Sequence, residues 1–351
     1  VGTVFVYSPA EILHSIWGSS LFWIIVIFAY YVIATMLPID KIIGKIYPLF
    51  AFSLLFMAGA LMVMLFVKMP QLPELWTHFY NMGAEAEPEK WTDQIFPCLF
   101  ITIACGAISG FHATQSPLMA RCVKSEHMGR PIFYGAMITE GVVALIWATV
   151  SSWFFYGSPA PGYELIAAVN TGFSTSAPAV VNIVCNDWLG VAGAILALLG
   201  VVAAPITSGD TAFRSARLII GEWLHIDQRP IIKRLAICLP LFISSIAMLV
   251  WQIENPDGFN IIWQYFGWAN QTLSVFTLWT LTVYLVRQKK PYIITLIPAL
   301  LMTTVCTTFL FVSKQAFHLP ENIGYLLGIL CLVVALVWFI VWYRKEKSKL
   351  V

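Results

Sequence analysis

Residues 101–117 of this chain read ITIACGAISGFHATQSP, and how this stretch crosses a membrane decides the fold. It is apolar enough for a spanning helix, but it contains Gly106 and Gly110 and the polar residues Ser109 and His112. Broken helices in transporters leave backbone carbonyls and amides free to hold ions and substrate. The stretch therefore favours a helix that unwinds near its C-terminal end. The alternative is a GxxxG packing face with His112 at the water interface.

The composition of the whole chain places this stretch in a membrane protein. Of 351 residues, 59% are hydrophobic and 11% are charged, and the mean hydropathy is +0.80. A soluble domain carries roughly 25% charged residues. The surface must therefore face the lipid bilayer, and an all-α integral membrane protein is expected because helices satisfy their own backbone in lipid. The net charge of +2 and the short basic clusters give no indication of nucleic-acid binding.

A spanning helix needs about 20 mostly apolar residues. The sequence predicts nine such spans, at 19–37, 47–67, 95–114, 132–156, 188–207, 235–253, 261–286, 293–313 and 323–343. Tryptophan and tyrosine flank several of them, as is typical of side chains at the depth of the lipid headgroups. Residues 1–351 are therefore predicted to form a single transmembrane domain.

The basic residues predict the orientation. If the C-terminus lies inside and the spans alternate, all but three of the 20 lysines and arginines fall on the inner side. The exceptions are Lys68, Lys90 and Lys314. Because positive residues concentrate in cytoplasmic loops, residues 344–351 are predicted to be a cytoplasmic tail. Val1 is then outside, which predicts an odd number of spans upstream of it, and a native outside start is the alternative.

Two polar segments are predicted outside the membrane. Residues 68–94, which are rich in glutamate, form an outer loop. Residues 158–187 are too polar to span, and within them 164–170 and 178–186 are each predicted to be a short helix. The segment is predicted to be either a capping lid or a plain structured loop.

Familiar catalytic and nucleotide-binding patterns are absent from the sequence. No P-loop, HExxH or GxSxG pattern occurs, and the seven cysteines show no CxxC spacing. We therefore expect no ATP-driven transport, no enzyme activity and no cofactor. A channel would repeat polar residues along one face of several helices, whereas the polar residues here cluster at a few breaks. A membrane subunit without solute flux is a further alternative.

Glu140 is the clearest candidate for proton coupling. It lies within the 132–156 span, where a charged carboxyl without a partner is costly and therefore tends to keep its proton. The alternative is a protonated glutamate that is hydrogen-bonded to a neighbouring helix. Asp210 is the second candidate, although it can equally form a salt bridge on the cytoplasmic surface with Arg214, four residues further along the helix.

Hydroxyl and amide side chains mark two further positions. Thr207 and Ser208 lie at the end of their predicted span, where with freed backbone carbonyls they could coordinate a metal cation. Asn270 and Gln271 lie in the middle of another span. Amides inside membranes are more often interhelical hydrogen bonds than ligands, although a role as ligands stays open.

Three stretches resemble blocks of one known family. They are FITIACGAISGFH at 100–112, PITSGDTAFR at 205–214 and WQYFGWANQT at 263–272. By these blocks the chain resembles the carbon starvation protein A family over its whole length, without that family's N-terminal portion.

The resemblance implies a transporter fold of two inverted five-helix repeats. With about three helices missing upstream, the 95–114 span would be the first helix of the second repeat and one of the fold's two broken helices. Five residues would then line the substrate: Gly106, Ser109, Gly110, Phe111 and His112.

The resemblance also implies a function. It implies a symporter of a bacterial or archaeal cytoplasmic membrane that takes up a small carboxylate such as pyruvate, or peptides, together with protons. The His112 imidazole would meet the carboxylate. Residues 113–119 differ from the members associated with pyruvate, which leaves the substrate open. A sodium-coupled amino-acid or peptide symporter is the alternative, in which Thr207 and Ser208 would hold the cation. The oligomeric state is not predicted.

Overall fold

A computed structural model describes residues 2–36, 43–69, 95–106, 108–156, 177–255 and 258–350. All regular elements in these ranges are helices, which confirms the all-α prediction for them. In chain order they are α1 Gly2–Ile16, α2 Ser20–Met36, α3 Ile43–Lys68, α4 (three short pieces, Ile95–Leu99, Phe100–Ile103 and Ala104–Gly106), α5 Phe111–Ala120, α6 Gly135–Tyr156 with the preceding turns Glu126–Met128 and Arg130–Tyr134, α7 Ala177–Trp223, α8 Ile231–Glu254, α9 Gly258–Arg287, α10 Ile293–Val312 and α11 Glu321–Leu350.

Six helices within the described ranges are long and apolar enough to cross a membrane. They are Pro48–Lys68, Glu126–Trp153, Gly193–Trp223, Ile231–Glu254, Ile293–Val312 and Glu321–Ser348. Each overlaps with a predicted span, although Gly193–Trp223 extends well beyond the predicted 188–207, and the chain is a multi-pass membrane protein. The other three predicted spans correspond to the shorter apolar helix α2, to α4 and α5, and to α9. The count of nine spans and the inverted repeat stay predictions.

The helix α1 has no counterpart among the predicted spans. It is only 15 residues long and contains Pro9 and Glu11, so a search for 20-residue apolar runs passes over it. Its buried face includes Val4, Val6 and Ile12, and it packs mainly against α7 and α2. Tertiary packing rather than hydropathy therefore marks α1 as part of the core.

The element α7 spans 47 residues and consists of two helices that meet at a kink at Gly190. At the bend Gly190 has φ 64° and ψ 179°, a conformation that glycine adopts without strain. The predicted short helix 178–186 therefore lies within the first of these two helices, and its place in a lid stays a prediction. The other predicted short helix, 164–170, and most of the predicted outer loop, 70–94, lie outside the described residues. The predicted tail continues α11 as a helix.

The chain divides into two compact units. The first consists of Val1–Thr77 and Val142–Ile262 and holds α1, α2, α3, most of α6, α7 and α8. The second consists of His78–Gly141 and Trp263–Val351 and holds α4, α5, α10, α11 and most of α9.

Each unit has its own apolar core. In the first, one cluster joins α1, α3, α6 and α7 around Leu61 and Val184, and another joins α1, α2, α7 and α8 around Phe213 and Phe242. In the second unit, Ile101 of α4 packs in a cluster with residues of α9 and α10. This cluster holds the end of α4 against α9, where the helix break lies.

Candidate functional site

The helical path is interrupted between α4 and α5. The last piece of α4 ends at Gly106, and α5 begins at Phe111. Local backbone hydrogen bonds remain on either side of the interruption. The Ile108 N–H donates to the Ala104 carbonyl over 2.7 Å, and the His112 N–H donates to the Ser109 carbonyl over 3.1 Å. The predicted break in this span is therefore present.

The side chain of Asn270 on α9 forms hydrogen bonds with the residues at the break. Its Oδ1 accepts a hydrogen bond from the Gly110 N–H over 3.0 Å and another from Ser109 Oγ over 3.3 Å. Ser109 Oγ in turn accepts the Phe111 N–H over 3.3 Å. Ser109 and Asn270 are each only 5% exposed. The first N–H groups of a helix have no partner within the helix, and here the two side chains supply acceptors to Gly110 and Phe111.

Gly110 is in close contact with α9. A Cβ atom at this position would lie 2.5 Å from the Asn270 carbonyl oxygen and 2.9 Å from Leu273 Cβ. These distances are shorter than real side-chain contacts, and one of the two atoms belongs to backbone. Position 110 therefore requires glycine for the close approach of the two segments.

The break brings some of the predicted substrate residues together and leaves others at its edges. Ser109 and Gly110 lie at the Asn270 contact, whereas Phe111 and His112 form the first turn of α5 and are partly exposed. Gly106 ends α4 and is also partly exposed.

Buried polar groups continue along α9 beside the break. Gln271 and Ser274 are fully buried, and Ser274 Oγ donates to the Gln271 backbone carbonyl over 2.7 Å. Asn270 forms the interhelical hydrogen bond that an amide in a membrane was expected to form. Its place in the break could not be read from sequence, because its partners lie 160 and 161 positions away.

A small cavity lies in the second unit between α4 and α9. Its volume is about 200 Å³, and Gly267, one turn before Asn270, is part of its lining. Thr102 and Gln264 supply polar groups to a wall that is otherwise mostly apolar. Pockets for drug-sized ligands have volumes of about 300–1,000 Å³, so this cavity is smaller than those, and its lining does not include the predicted substrate residues.

Glu140 lies on α6 within the predicted 132–156 span, and its role in proton coupling stays a prediction. Its side chain is exposed on α6, and no hydrogen bond or ion pair joins it to another described residue. An apolar sequence around a residue does not show which face of the helix is packed. Among the described side chains of α6, the buried hydrophobic residues are Ile146 and Val150, which lie further along the helix.

The predicted cation site at Thr207 and Ser208 lacks the unwound backbone that it requires. The Thr207 hydroxyl donates to the Ala204 carbonyl over 2.8 Å. The Thr211 hydroxyl donates to the carbonyls of Thr207 and Ser208 over 2.9 and 3.1 Å. α7 is continuous through these residues, so the expectation of freed carbonyls is wrong.

Asp210 forms the salt bridge that was the alternative to a role in proton coupling. Arg214 Nη2 lies 3.2 Å from its Oδ1 and 3.4 Å from its Oδ2, and it also donates to the Ala34 carbonyl over 2.7 Å. Asp210 is 0% exposed and Arg214 4% exposed. The pair is therefore buried between α7 and α2, and not at the surface where a bridge was expected.

Tyr31 of α2 is a residue of this region that the sequence gives no reason to select. Its hydroxyl lies 2.8 Å from the Phe5 carbonyl and 3.1 Å from the Pro205 carbonyl. Its ring lies so close to Gly209 that a Cβ atom there would overlap with it. Tyr31 therefore joins α1, α2 and α7 directly beside the buried ion pair.

The sequence matches the family model of carbon starvation protein CstA over residues 2–157 and 162–309. An uncharacterized membrane protein of Haemophilus influenzae is 48% identical over 157 residues, 42% of this chain and 42% of the relative. The peptide transporter CstA of Bacillus subtilis is 28% identical over 328 residues, 82% of this chain and 54% of the relative. The pyruvate/proton symporter BtsT of Escherichia coli is 41% identical over 75 residues, 21% of this chain and 10% of the relative.

The chain spans about half the length of the curated relatives it matches. No solved structure matches it significantly. The family model nevertheless covers most of the sequence, including the broken helix, the ion pair and the Asn270 region. The chain therefore belongs to the carbon starvation protein CstA family.

Proposed function

We propose that the protein is a secondary active symporter that takes up a small carboxylate, with pyruvate as the first candidate, or a peptide, together with protons. It would act in a bacterial or archaeal cytoplasmic membrane with its C-terminus inside. The observation that carries the proposal is the break between α4 and α5, where Ser109 and Asn270 are buried within two of the predicted spans. Irregular backbone at membrane depth is tolerated only within protein or beside a water-filled path.

The substrate would bind at the break. The N-terminal end of α5 carries the positive end of a helix dipole, and His112 lies in its first turn. Both features favour a carboxylate. The names of the relatives support both substrate classes, since one is a peptide transporter and one a pyruvate/proton symporter.

Glu140 would carry the proton. Its carboxyl has no hydrogen bond or ion pair with another described residue, whereas that of Asp210 is bonded to Arg214. Protonation of Asp210 would remove the negative charge that faces the buried guanidinium of Arg214, at a cost in stability. Asp210 is therefore the less suitable carrier. Sodium coupling through Thr207 and Ser208 is also less well supported, because α7 is continuous there.

The test uses the full-length gene product in proteoliposomes. Labelled pyruvate and a labelled dipeptide are offered separately, under an inward proton gradient, an inward sodium gradient or no gradient. Wild type and Glu140→Gln are compared. Glu346→Gln is the control, because Glu346 lies near the end of α11, where it forms an ion pair with Arg287. Pyruvate uptake that needs the proton gradient and is lost only in Glu140→Gln is the expected result.

Other results would correct the proposal at separate points. Uptake of the dipeptide alone would replace the carboxylate with a peptide, and uptake driven by sodium alone would replace the proton. Equal gradient-driven uptake in wild type and Glu140→Gln would remove Glu140 as the carrier. No uptake of any of these solutes by correctly inserted protein would contradict the symporter itself.

A further inference from the structure

Three arginines form a cluster on α7 and α8 in the first unit: Arg214, Arg217 and Arg234. Arg217 interacts electrostatically with the other two arginines and with Asp210. It is only 7% exposed, and Arg214 is 4% exposed. These four side chains place three positive charges and one negative charge together in a largely buried region.

Two of the arginines have hydrogen-bond partners that the structure describes. Arg214 donates to Asp210 and to the Ala34 carbonyl. Arg234 Nη1 donates to the Met36 carbonyl and its Nη2 to the Arg229 carbonyl, each over 3.2 Å.

Arg217 differs from these two arginines. Its Nε and Nη1 are buried, and neither has a hydrogen-bond acceptor in the part of the chain that the structure describes. A buried charged group without an acceptor is strongly destabilising. The geometry therefore calls for acceptor oxygens, and preferably negative charge, beside Arg217.

The position of the cluster indicates where such an acceptor would come from. Arg217 lies near the C-terminal end of Gly193–Trp223, and Arg234 lies in the first turn of Ile231–Glu254. Both helices are long and apolar enough to span a membrane, so these ends lie at the depth of the lipid headgroups. Basic pockets between spanning helices bind the phosphate groups of anionic lipids.

We propose that Arg217, together with Arg214 and Arg234, binds a phosphate group, and that its source is the headgroup of an anionic phospholipid. The guanidinium fork matches a phosphate with two parallel N–H···O bonds, which a lysine cannot form. Asp210 neutralises only one of the three positive charges. Arg234 is partly exposed, so the cluster reaches the surface of the unit there. The site is independent of the transported solute and of the coupling ion.

The experiment uses the full-length protein, purified in detergent and exchanged into phosphate-free buffer. Native mass spectrometry identifies retained lipid, and the apparent Tm is measured after addition of phosphatidylglycerol, phosphatidylcholine or inorganic phosphate. Wild type is expected to retain an anionic phospholipid and to be stabilised most by phosphatidylglycerol.

Three variants separate this site from general attraction of basic residues to lipid. Arg217→Gln should weaken phosphatidylglycerol binding by about tenfold or more, as for the loss of a charge-assisted bond. Arg217→Lys should bind phosphatidylglycerol more weakly than wild type but more strongly than Arg217→Gln, because lysine keeps the charge without the forked guanidinium group. Arg344→Gln should bind like wild type, because that arginine is exposed near the end of α11.

Measurements on the wild-type protein alone can contradict the lipid site. Absence of retained phospholipid, together with equal Tm values in phosphatidylglycerol, phosphatidylcholine and inorganic phosphate, would overturn it. Unchanged lipid binding by folded Arg217→Gln would overturn it as well. Stabilisation by inorganic phosphate but not by either lipid would support the phosphate site and reject the lipid as its source.

Discussion

The backbone N–H of Gly110 donates a hydrogen bond to Asn270 Oδ1 over 3.0 Å, and this contact joins the broken helix to α9. Ser109 Oγ donates to the same oxygen over 3.3 Å. A buried N–H group that a break releases from helical bonding needs an acceptor. Because the Asn270 amide provides it, the break can persist in a membrane. The exact pairing of Gly110 with Asn270 makes both residues testable.

Gly110→Ala should disrupt this contact. The added methyl group would lie 2.5 Å from the Asn270 carbonyl oxygen, so α5 and α9 must separate. Overpacking of this kind costs about 1–3 kcal/mol, and we expect a lower apparent Tm and reduced uptake in proteoliposomes. Gly135→Ala is the matched control, since a Cβ at that position meets nothing within 4 Å. Equal behaviour of the two variants would contradict the need for close approach.

Asn270→Ala should destabilise the break by a different route. The substitution creates no overlap but leaves the Gly110 N–H buried without its acceptor, at a cost of about 1–3 kcal/mol. The measurement is thermal unfolding in detergent, followed by tryptophan fluorescence. Asn322→Ala serves as the control because Asn322 is exposed in the first turn of α11. A Tm shift no larger than that of Asn322→Ala would show that the hydrogen bond does not support the break.

The break itself could be predicted from sequence, but its partner could not. Gly106, Ser109 and Gly110 lie within five positions, and their local chemistry opposes a continuous apolar helix. The contact of Gly110 with Asn270 spans 160 positions and depends on how α4, α5 and α9 pack. A single sequence carries no direct signal of such packing.

The same distinction applies to Thr207 and Ser208 and to Glu140. Freed backbone carbonyls were expected at Thr207 and Ser208, but α7 is continuous there, and the hydroxyls of Thr207 and Thr211 donate to backbone carbonyls of the same helix. Hydropathy placed Glu140 within a span correctly but could not show that its side chain is exposed. Local sequence therefore predicts where helices run, and tertiary packing decides which polar side chains become buried.

The buried pair Asp210–Arg214 should show strong coupling. Asp210→Asn leaves the buried guanidinium without its carboxylate, and Arg214→Gln leaves the buried carboxylate without its cation. Breaking a buried ion pair by removing one partner costs about 3–5 kcal/mol. We expect the double variant to lose less stability than the two single variants together, as a double-mutant cycle of thermal unfolding would measure. Additive losses would mean that the pair contributes no coupling.

Tyr31 and Gly209 should also behave as a unit, because the Tyr31 ring occupies the space where a side chain at position 209 would lie. Tyr31→Phe removes the hydroxyl that bonds the Phe5 and Pro205 carbonyls, and we expect a loss of about 0.5–1.5 kcal/mol. Gly209→Ala should cost more than Gly141→Ala, for which a Cβ meets nothing within 4 Å. In a Tyr31→Ala background the Gly209→Ala substitution should cost much less, since the ring that it strikes is gone. An equal cost of Gly209→Ala in both backgrounds, measured by thermal unfolding, would show that another contact requires the glycine.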